Sequence, residues 1–236
     1  IGQDGPVAPM ELKTLDGRSV LVEGKVDRVD LMKKHGNTYF RVIDYKTGGN
    51  TFSLEEVLSG LNMQMMIYLF SLSQQGAERY GGPLVPAGVL YFPATPAVKG
   101  KTEAELKETL LRQFRMNGLL LDDPEVLRGM EPGGNGLFIP VKQMSGGDFK
   151  SDAAATLASL ARMGALRRHI EKLLLNMASS LYDGRIAAFP LTTPKQLPCT
   201  HCDYPSVCRY REGMPCRTVP KRTEAELDEL LADEEV

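Results

Sequence analysis

The stretch from Gly24 to Lys46, GKVDRVDLMKKHGNTYFRVIDYK, constrains this chain more than any other. It reads as a β-hairpin. Its arms, SVLVEGKVDRVDLM and TYFRVIDYKT, are rich in Val, Ile, Tyr and Phe, and Lys33 to Asn37 between them is polar with a glycine, as a hairpin turn requires. With the turn centred on His35 and Gly36, Asp27 falls opposite Asp44. Cross-strand neighbours stand about 5 Å apart, where two like charges repel. Lys46 lies two residues beyond Asp44 and so points from the same face. Exposed hairpins often carry Asp and Lys on a solvated face, but Asp44 sits inside Val42-Ile43-Asp44-Tyr45, a poor setting for a merely soluble carboxylate. A carboxylate pair is most simply stabilised by a divalent cation, and hard oxygen ligands favour Mg²⁺ or Mn²⁺.

The rest of the chain reads as an α/β protein. Met10 to Leu15 forms a short strand before the hairpin. Ser53 and Glu56 have the spacing of a capping box and open a helix carrying Leu54, Val57, Leu58, Leu61, Met65, Leu69 and Leu72 at helical intervals. On it Gln64 and Tyr68 are four apart and share a face. Gly60 lets that helix approach the sheet closely. Val85 to Ala94 is apolar nearly throughout and reads as a central strand, so that strand, strand, helix, strand gives a mixed sheet. Helices follow over 102–117, 125–130 and 156–181, with a short strand at Leu137 to Ile139. Asp122 and Asp123 suit the start of the second of these helices better than they suit a metal. The long helix bears Arg162, Arg167, Arg168, His169 and Lys172, a solvated face that also fits phosphate contact; His169 reads as structural or exposed and not catalytic. The acidic stretch 221–236 reads as a weakly helical tail.

With 236 residues, 42% hydrophobic and 25% charged, the chain can bury one good core or one domain with an appendage. Its net charge of −2 means that any nucleic-acid surface must be a segregated basic patch. There is no apolar run of membrane-spanning length, no signal peptide and no Walker A pattern. The expected setting is the cytoplasm, with no membrane partner. Because the chain opens at Ile1, it is expected to be a fragment of something longer.

The residues G-K-V-D-R-V-D, then I-D-Y-K, then Gln64-Met65-Met66-Ile67-Tyr68 resemble the PD-(D/E)XK nuclease superfamily in its RecB-like branch. That pattern is G-x-(I/V)-D-R-x-D, then (I/V)-(I/V)-D-(Y/F)-K-T, then Q-x-x-x-Y on the next helix. The resemblance implies a restriction-endonuclease-like core, with Asp27, Asp44 and the backbone carbonyl of Tyr45 as metal ligands. It also implies that Lys46 is the catalytic lysine and that Gln64 and Tyr68 flank the site. Mg²⁺ or Mn²⁺ is the implied metal and DNA the implied substrate.

All four cysteines fall between 199 and 216, as Cys199-x2-Cys202-x5-Cys208-x7-Cys216. In a cytosolic chain this clustering points to metal and not to disulfides. A zinc ribbon needs two tight pairs and only the first is tight; a thiolate-held iron–sulfur cluster accommodates looser spacing. PCTHCDYPSVCRY resembles the C-terminal iron–sulfur stretch of the AddB family, the nuclease-bearing halves of AddAB helicase–nucleases. That family supplies three cysteines as C-x2-C-x5-C and a fourth from far upstream. The resemblance implies that Cys199, Cys202 and Cys208 hold a [4Fe–4S] cluster pinning the two ends of the domain together. Cys216 has no counterpart in the pattern, and the fourth cysteine is absent here, so the fragment is expected to hold the cluster poorly. The implied partner is an AddA-like helicase subunit, with ATP used by the complex and not by this chain.

The expected organisation is a nuclease domain over 1–197, with its core at 11–95 and a helical insert and long helix at 102–184. An iron–sulfur segment over 198–217 and an acidic tail over 218–236 follow. The expected function is Mg²⁺-dependent hydrolysis of DNA phosphodiesters during double-strand-break processing. Alternatives are another RecB-family exonuclease, such as the shorter CRISPR-associated nucleases, a non-catalytic DNA-binding or scaffold module on the same fold, and an iron–sulfur redox protein.

Overall fold

The computed structural model describes residues 1–48, 51–95, 102–152, 155–185, 187–193, 198–211 and 213–232. Strands β1 (Met10–Lys13) and β2 (Ser19–Val22) form a small antiparallel ribbon. β3 (Arg28–Lys34) and β4 (Asn37–Lys46) form the hairpin, followed by α1 (Leu54–Leu58), α2 (Gln64–Gln75), α3 (Ala77–Tyr80) and β5 (Leu84–Pro93). Then come α4 (Glu103–Gln113), β6 (Asn117–Leu121), α5 (Pro124–Met130), the ribbon β7 (Val141–Gln143) and β8 (Phe149–Ser151), β9 (Ala155–Ala158) and the long α6 (Leu160–Tyr182). β10 (Leu191–Thr192), a 3-10 turn at Pro198–His201, α7 (Pro205–Cys208), β11 (Arg217–Thr218) and α8 (Glu224–Ala232) complete the described chain. Among the described residues no helix is long and apolar enough to cross a membrane.

The central sheet has the order β3-β4-β5-β6-β9. Its pairings alternate antiparallel, parallel, antiparallel and parallel, so it is mixed. The hairpin register runs from Arg28 opposite Ile43 to Lys34 opposite Asn37, the alignment expected from the turn. His35 and Gly36 both have positive φ, 47° and 78°, as a two-residue turn must to match the twist of its strands. One face of the sheet packs Phe40, Val42, Val89 and Leu119 beneath α2 and α6. The other packs Ile43, Leu90 and Leu120 against Met116, Leu127, Ile139, Val141 and Phe149. β5 is covered on both faces, which explains its unbroken apolar run.

Several expected elements are corrected. The first hairpin arm is two strands: β2 joins β1 in a separate ribbon, and residues 23–27 between β2 and β3 are not strand. The helix expected from Ser53 onward is two helices. Gly60 and Asn62 have φ of 91° and 52°, which no right-handed helix admits, so Gly60 ends α1 instead of easing a continuous helix onto the sheet. Residues 117–121 are strand β6, and 155–158 are strand β9, with Ser159 capping α6 through a bond from Arg162 N. Leu137 to Ile139 is a loop. It is held by the buried Glu131 carboxylate, which accepts from the backbone N–H of Leu137 (2.7 Å), Phe138 (3.0 Å) and Ile139 (3.0 Å). Asp123 caps α5 by accepting from Glu125 N and Val126 N. The acidic stretch is no appended tail over 224–232: α8 lies on α6 and buries Leu227 and Leu231 in the main core.

Candidate active site

Asp44 is 8% exposed, on the face of β4 that carries Val42. Its Oδ2 is buried and accepts no hydrogen bond. Lys46 Nζ lies 2.6 Å from that oxygen as an ion pair. Asp27, in the bend just before β3, turns its Oδ2 to accept from Tyr45 N at 3.2 Å. The two carboxylates therefore flank the Asp44–Tyr45 peptide at one end of the sheet, with the lysine between solvent and Asp44. A buried carboxylate is costly to keep charged, and here its partner is the one ammonium of Lys46. Two hard oxygen donors beside a backbone carbonyl suit a divalent cation in kind. Among the described residues, however, no three His, Cys, Asp or Glu side chains stand together as a ligand set.

Sequence reasoning misses two neighbours of the site. Tyr91 pairs with Asp44 across β4 and β5, and Lys46 Nζ lies 5.2 Å from its ring centre. Burial above all, and then the negative charges of Asp44 and Glu56, push the Tyr91 phenol up to about 12, so it stays neutral. Glu56 is only half a capping box: Ser53 Oγ accepts from Glu56 N at 3.3 Å, while the Glu56 carboxylate accepts from Asn62 Nδ2 at 2.6 Å instead of reaching back. The parallel β4–β5 pairing that brings Tyr91 beside Asp44 leaves no local spacing to read. Only the position of Glu56 in the first turn after the I-D-Y-K loop hints at its place.

Gln64 and Tyr68 share a face of α2, with Gln64 Nε2 donating to Tyr68 Oη at 3.0 Å. Tyr68 is buried and Gln64 exposed. The Tyr68 ring lies on the backbone of Gly24, where an added Cβ would stand 2.4 Å from Cε1. The pair thus braces the segment leading into Asp27; among the described hydrogen bonds neither touches Asp27, Asp44 or Lys46. Gly24→Ala is expected to lower the melting midpoint by a few degrees, because the new methyl must displace a buried ring and overpacking costs about 1–3 kcal/mol. Thermal melts of the two proteins read this directly, and equal midpoints would contradict the contact.

On the opposite face of the hairpin, Asp30 takes Arg28 Nε at 2.7 Å and Nη2 at 3.2 Å, and Arg41 Nε at 3.0 Å and Nη2 at 2.9 Å. Burial pushes the Asp30 carboxyl up, but the bonds from Arg28 and Arg41 outweigh it and hold the group below its ordinary value. The basic side of α6 is partly occupied: Arg162 pairs with Glu224 (2.8 Å) and Asp228 (3.2 Å) of α8, and Arg167 with Glu171 (3.8 Å). His169 is buried, and its Nε2 lies 2.9 Å from Leu58 O at the end of α1, a structural role.

Cys199, Cys202, Cys208 and Cys216 are free thiols. β10 and β11 pair in parallel, Leu191 with Arg217, so all four sit in a loop closed at its base. Tyr204 N donates to Cys202 Sγ at 3.4 Å, a bond that also steadies a thiolate. Among the described residues, Cys199, Cys202 and Cys208 are not gathered into one ligand set.

A sequence profile of the PD-(D/E)XK nuclease superfamily matches residues 3–209. The chain is 31% identical over 99% of its length to the B-type component of an ATP-dependent helicase/deoxyribonuclease from Acetivibrio thermocellus. It is 31% identical over 98% to the corresponding protein of Clostridium acetobutylicum, and 30% identical over 94% to that of Clostridium perfringens. It spans about a fifth of the length of these curated relatives, 21%, 20% and 20% respectively.

Proposed function

The chain belongs to the PD-(D/E)XK nuclease superfamily, and on that premise we propose that Asp27, Asp44 and Lys46 form the active site of a deoxyribonuclease. We further propose that it works as the nuclease domain of an AddB-like helicase–nuclease component, on DNA ends, in the cytoplasm, alongside an ATP-using helicase partner. One observation carries the assignment: the buried Oδ2 of Asp44 is paired with Lys46 Nζ at 2.6 Å, next to the Tyr45 N–H that Asp27 accepts. Asp27, Asp44 and the Tyr45 carbonyl would hold Mg²⁺ or Mn²⁺, which supplies Lewis acidity to a phosphate oxygen and to the attacking water. The Lys46 ammonium is held by Asp44 at 2.6 Å and lies 5.2 Å from the Tyr91 ring, which would let it shift between the two. From there it orients the water and offsets the charge that grows on phosphorus. Gln64 and Tyr68 act indirectly, by fixing the Gly24 segment from which Asp27 projects. End-labelled linear duplex and single-stranded DNA, incubated with the chain and Mg²⁺, should be shortened, and EDTA should stop it; intact DNA under both conditions would overturn the reading.

Lys46→Met should cut cleavage about a hundredfold or more and at the same time tighten Mn²⁺ binding. The ammonium that competes for Asp44 Oδ2, 2.6 Å away, is then gone. Calorimetric titration with Mn²⁺ measures the second effect, and weaker binding by a folded variant would contradict it.

Cys199, Cys202 and Cys208 are proposed to hold an iron–sulfur cluster. The donors fit in kind: free thiols, one already accepting a backbone N–H. Bound there, the cluster supplies a cross-link to a loop with no buried side chain over residues 202–211, and phosphodiester hydrolysis needs no redox step from it. In full-length protein, Cys202→Ala should then lose iron and broad absorbance near about 400 nm together with thermal stability. Retention of both would replace the cluster by zinc or free thiols.

A further inference from the structure

Tyr45 stands between the two active-site residues Asp44 and Lys46, and strand alternation sends its side chain to the opposite face of the sheet. There it is 44% exposed. Its ring meets Phe92 edge to face, with centroids 5.4 Å apart, and Phe92 stacks on Phe114 at 5.8 Å and 28°. Arg28 Nη1 lies 3.4 Å from Tyr45 Oη. That guanidinium is not mobile: Asp30 grips it at 2.7 Å and 3.2 Å, and Arg41 grips Asp30 in turn. Two guanidiniums on one carboxylate leave a net positive charge beside the aromatic row.

We propose that the row Tyr45–Phe92–Phe114, with Arg28 at its edge, is a stacking platform for unpaired nucleobases of the strand being cut. This rests on the nuclease reading of Asp27, Asp44 and Lys46. A phosphate held at the Asp44 end of the sheet lies at the rim where β4 ends, and the next nucleotide passes over that rim onto the face that carries Tyr45. Aromatic faces accept any base, and a fixed guanidinium answers the phosphate between two bases; this is the usual composition of sequence-tolerant single-strand sites. Protein interfaces also use aromatic residues and Arg; what favours the nucleic-acid strand is continuity with the proposed cut site, since Tyr45 is the chain neighbour of both Asp44 and Lys46. The platform also gives a reason for an aromatic residue at 45, whose backbone alone serves the proposed metal site.

The test uses the 236-residue chain, Ca²⁺ in place of Mg²⁺ to keep the substrate whole, and single-stranded oligonucleotides with 2-aminopurine at successive positions. Wild type should quench the probe at one or two positions next to the cut. Tyr45→Leu should relieve that quenching and weaken binding about tenfold, and Tyr45→Phe should keep the quenching. An abasic site at the quenched position should remove the difference between wild type and Tyr45→Leu. Phe114→Leu provides a second probe, should position 45 tolerate no change, and is expected to relieve quenching in part. Wild-type affinity and quenching in folded Tyr45→Leu and Phe114→Leu overturn the platform, as does weakened assembly with a helicase partner alongside unchanged oligonucleotide binding, which makes the face a protein interface. Cleavage by Asp44→Asn, measured in parallel with Mg²⁺, reports on the nuclease reading separately: normal cutting there sinks that reading whatever the platform shows.

Discussion

Asp44→Asn should abolish Mg²⁺-dependent cleavage, by about a thousandfold or more, and leave the melting midpoint unchanged or slightly raised. The substitution keeps the shape of the side chain and removes its charge. In the folded protein that charge costs stability, since Oδ2 is buried and the Asp27 carboxylate sits on the neighbouring Tyr45 N–H. The Lys46 ion pair returns part of the cost, but the lysine side chain is 24% exposed and can turn to water when its partner is neutral. Loss of function without loss of fold is what separates a ligand from a packing residue. Initial rates on end-labelled DNA and a thermal melt on one preparation give both numbers. Undiminished cutting would sink the site, and a melting midpoint lower by about ten degrees would make Asp44 structural.

Glu131→Ala should have the largest effect on stability of the substitutions considered, about 3 kcal/mol or more, a fall of about 6–12 °C. Glu131 is 7% exposed, and its two oxygens take three consecutive backbone N–H groups. Removing the carboxylate orphans all three, one of them on the buried Ile139. The damage spreads because this loop delivers Ile139 to the core behind Ile43 and Leu90, on the strands that carry Asp44 and Tyr91. Glu131→Gln keeps one acceptor oxygen and should fall between. Urea or thermal unfolding of the three proteins tests the order, and an alanine variant melting within about two degrees of wild type would show that something else holds the loop.

The hairpin is legible because two independent signals agree, the period-two pattern and a turn with a glycine at its centre, and together they set the register from Arg28–Ile43 to Lys34–Asn37, one residue short of Asp27. β5 was legible for a simpler reason: a strand buried on both faces is an unbroken apolar run. The breaks were harder. Nothing apolar changes at Gly60, yet a positive φ there divides one helical pattern into α1 and α2. Leu157 fits the apolar stripe of α6 as well as it fits β9, and only the Ser159 cap decides between them. In α8 the spacing of Leu227 and Leu231 was present, but the acidic composition outweighed it. Glu131 leaves no trace in a sequence, since its partners are backbone amides. At the candidate site, Asp44 and Lys46 lie on β4 and can be placed by counting, with Asp27 one residue before β3. Tyr91 and Glu56 arrive from other elements and could not.

The Asp30 knot makes the free edge of the sheet a seam that protons can open. Its carboxyl is held below its unfolded value by Arg28 and Arg41. The stability it contributes is therefore complete above that unfolded value and is surrendered as the pH falls through the folded one. With Asp30 neutral, two guanidiniums on neighbouring strands share an uncharged carboxyl that no longer offsets their repulsion. β3 is the outermost strand of the sheet, joined to it by β4 alone, and Asp27 hangs from its first residue. Acid below the ordinary carboxylate range should thus unzip one border of the protein, seen as faster amide exchange at Asp30 and Met32, whose N–H groups face β4, before global melting. The first thing lost along that border is the spacing between two carboxylates, so the enzyme would be disarmed well before it is denatured.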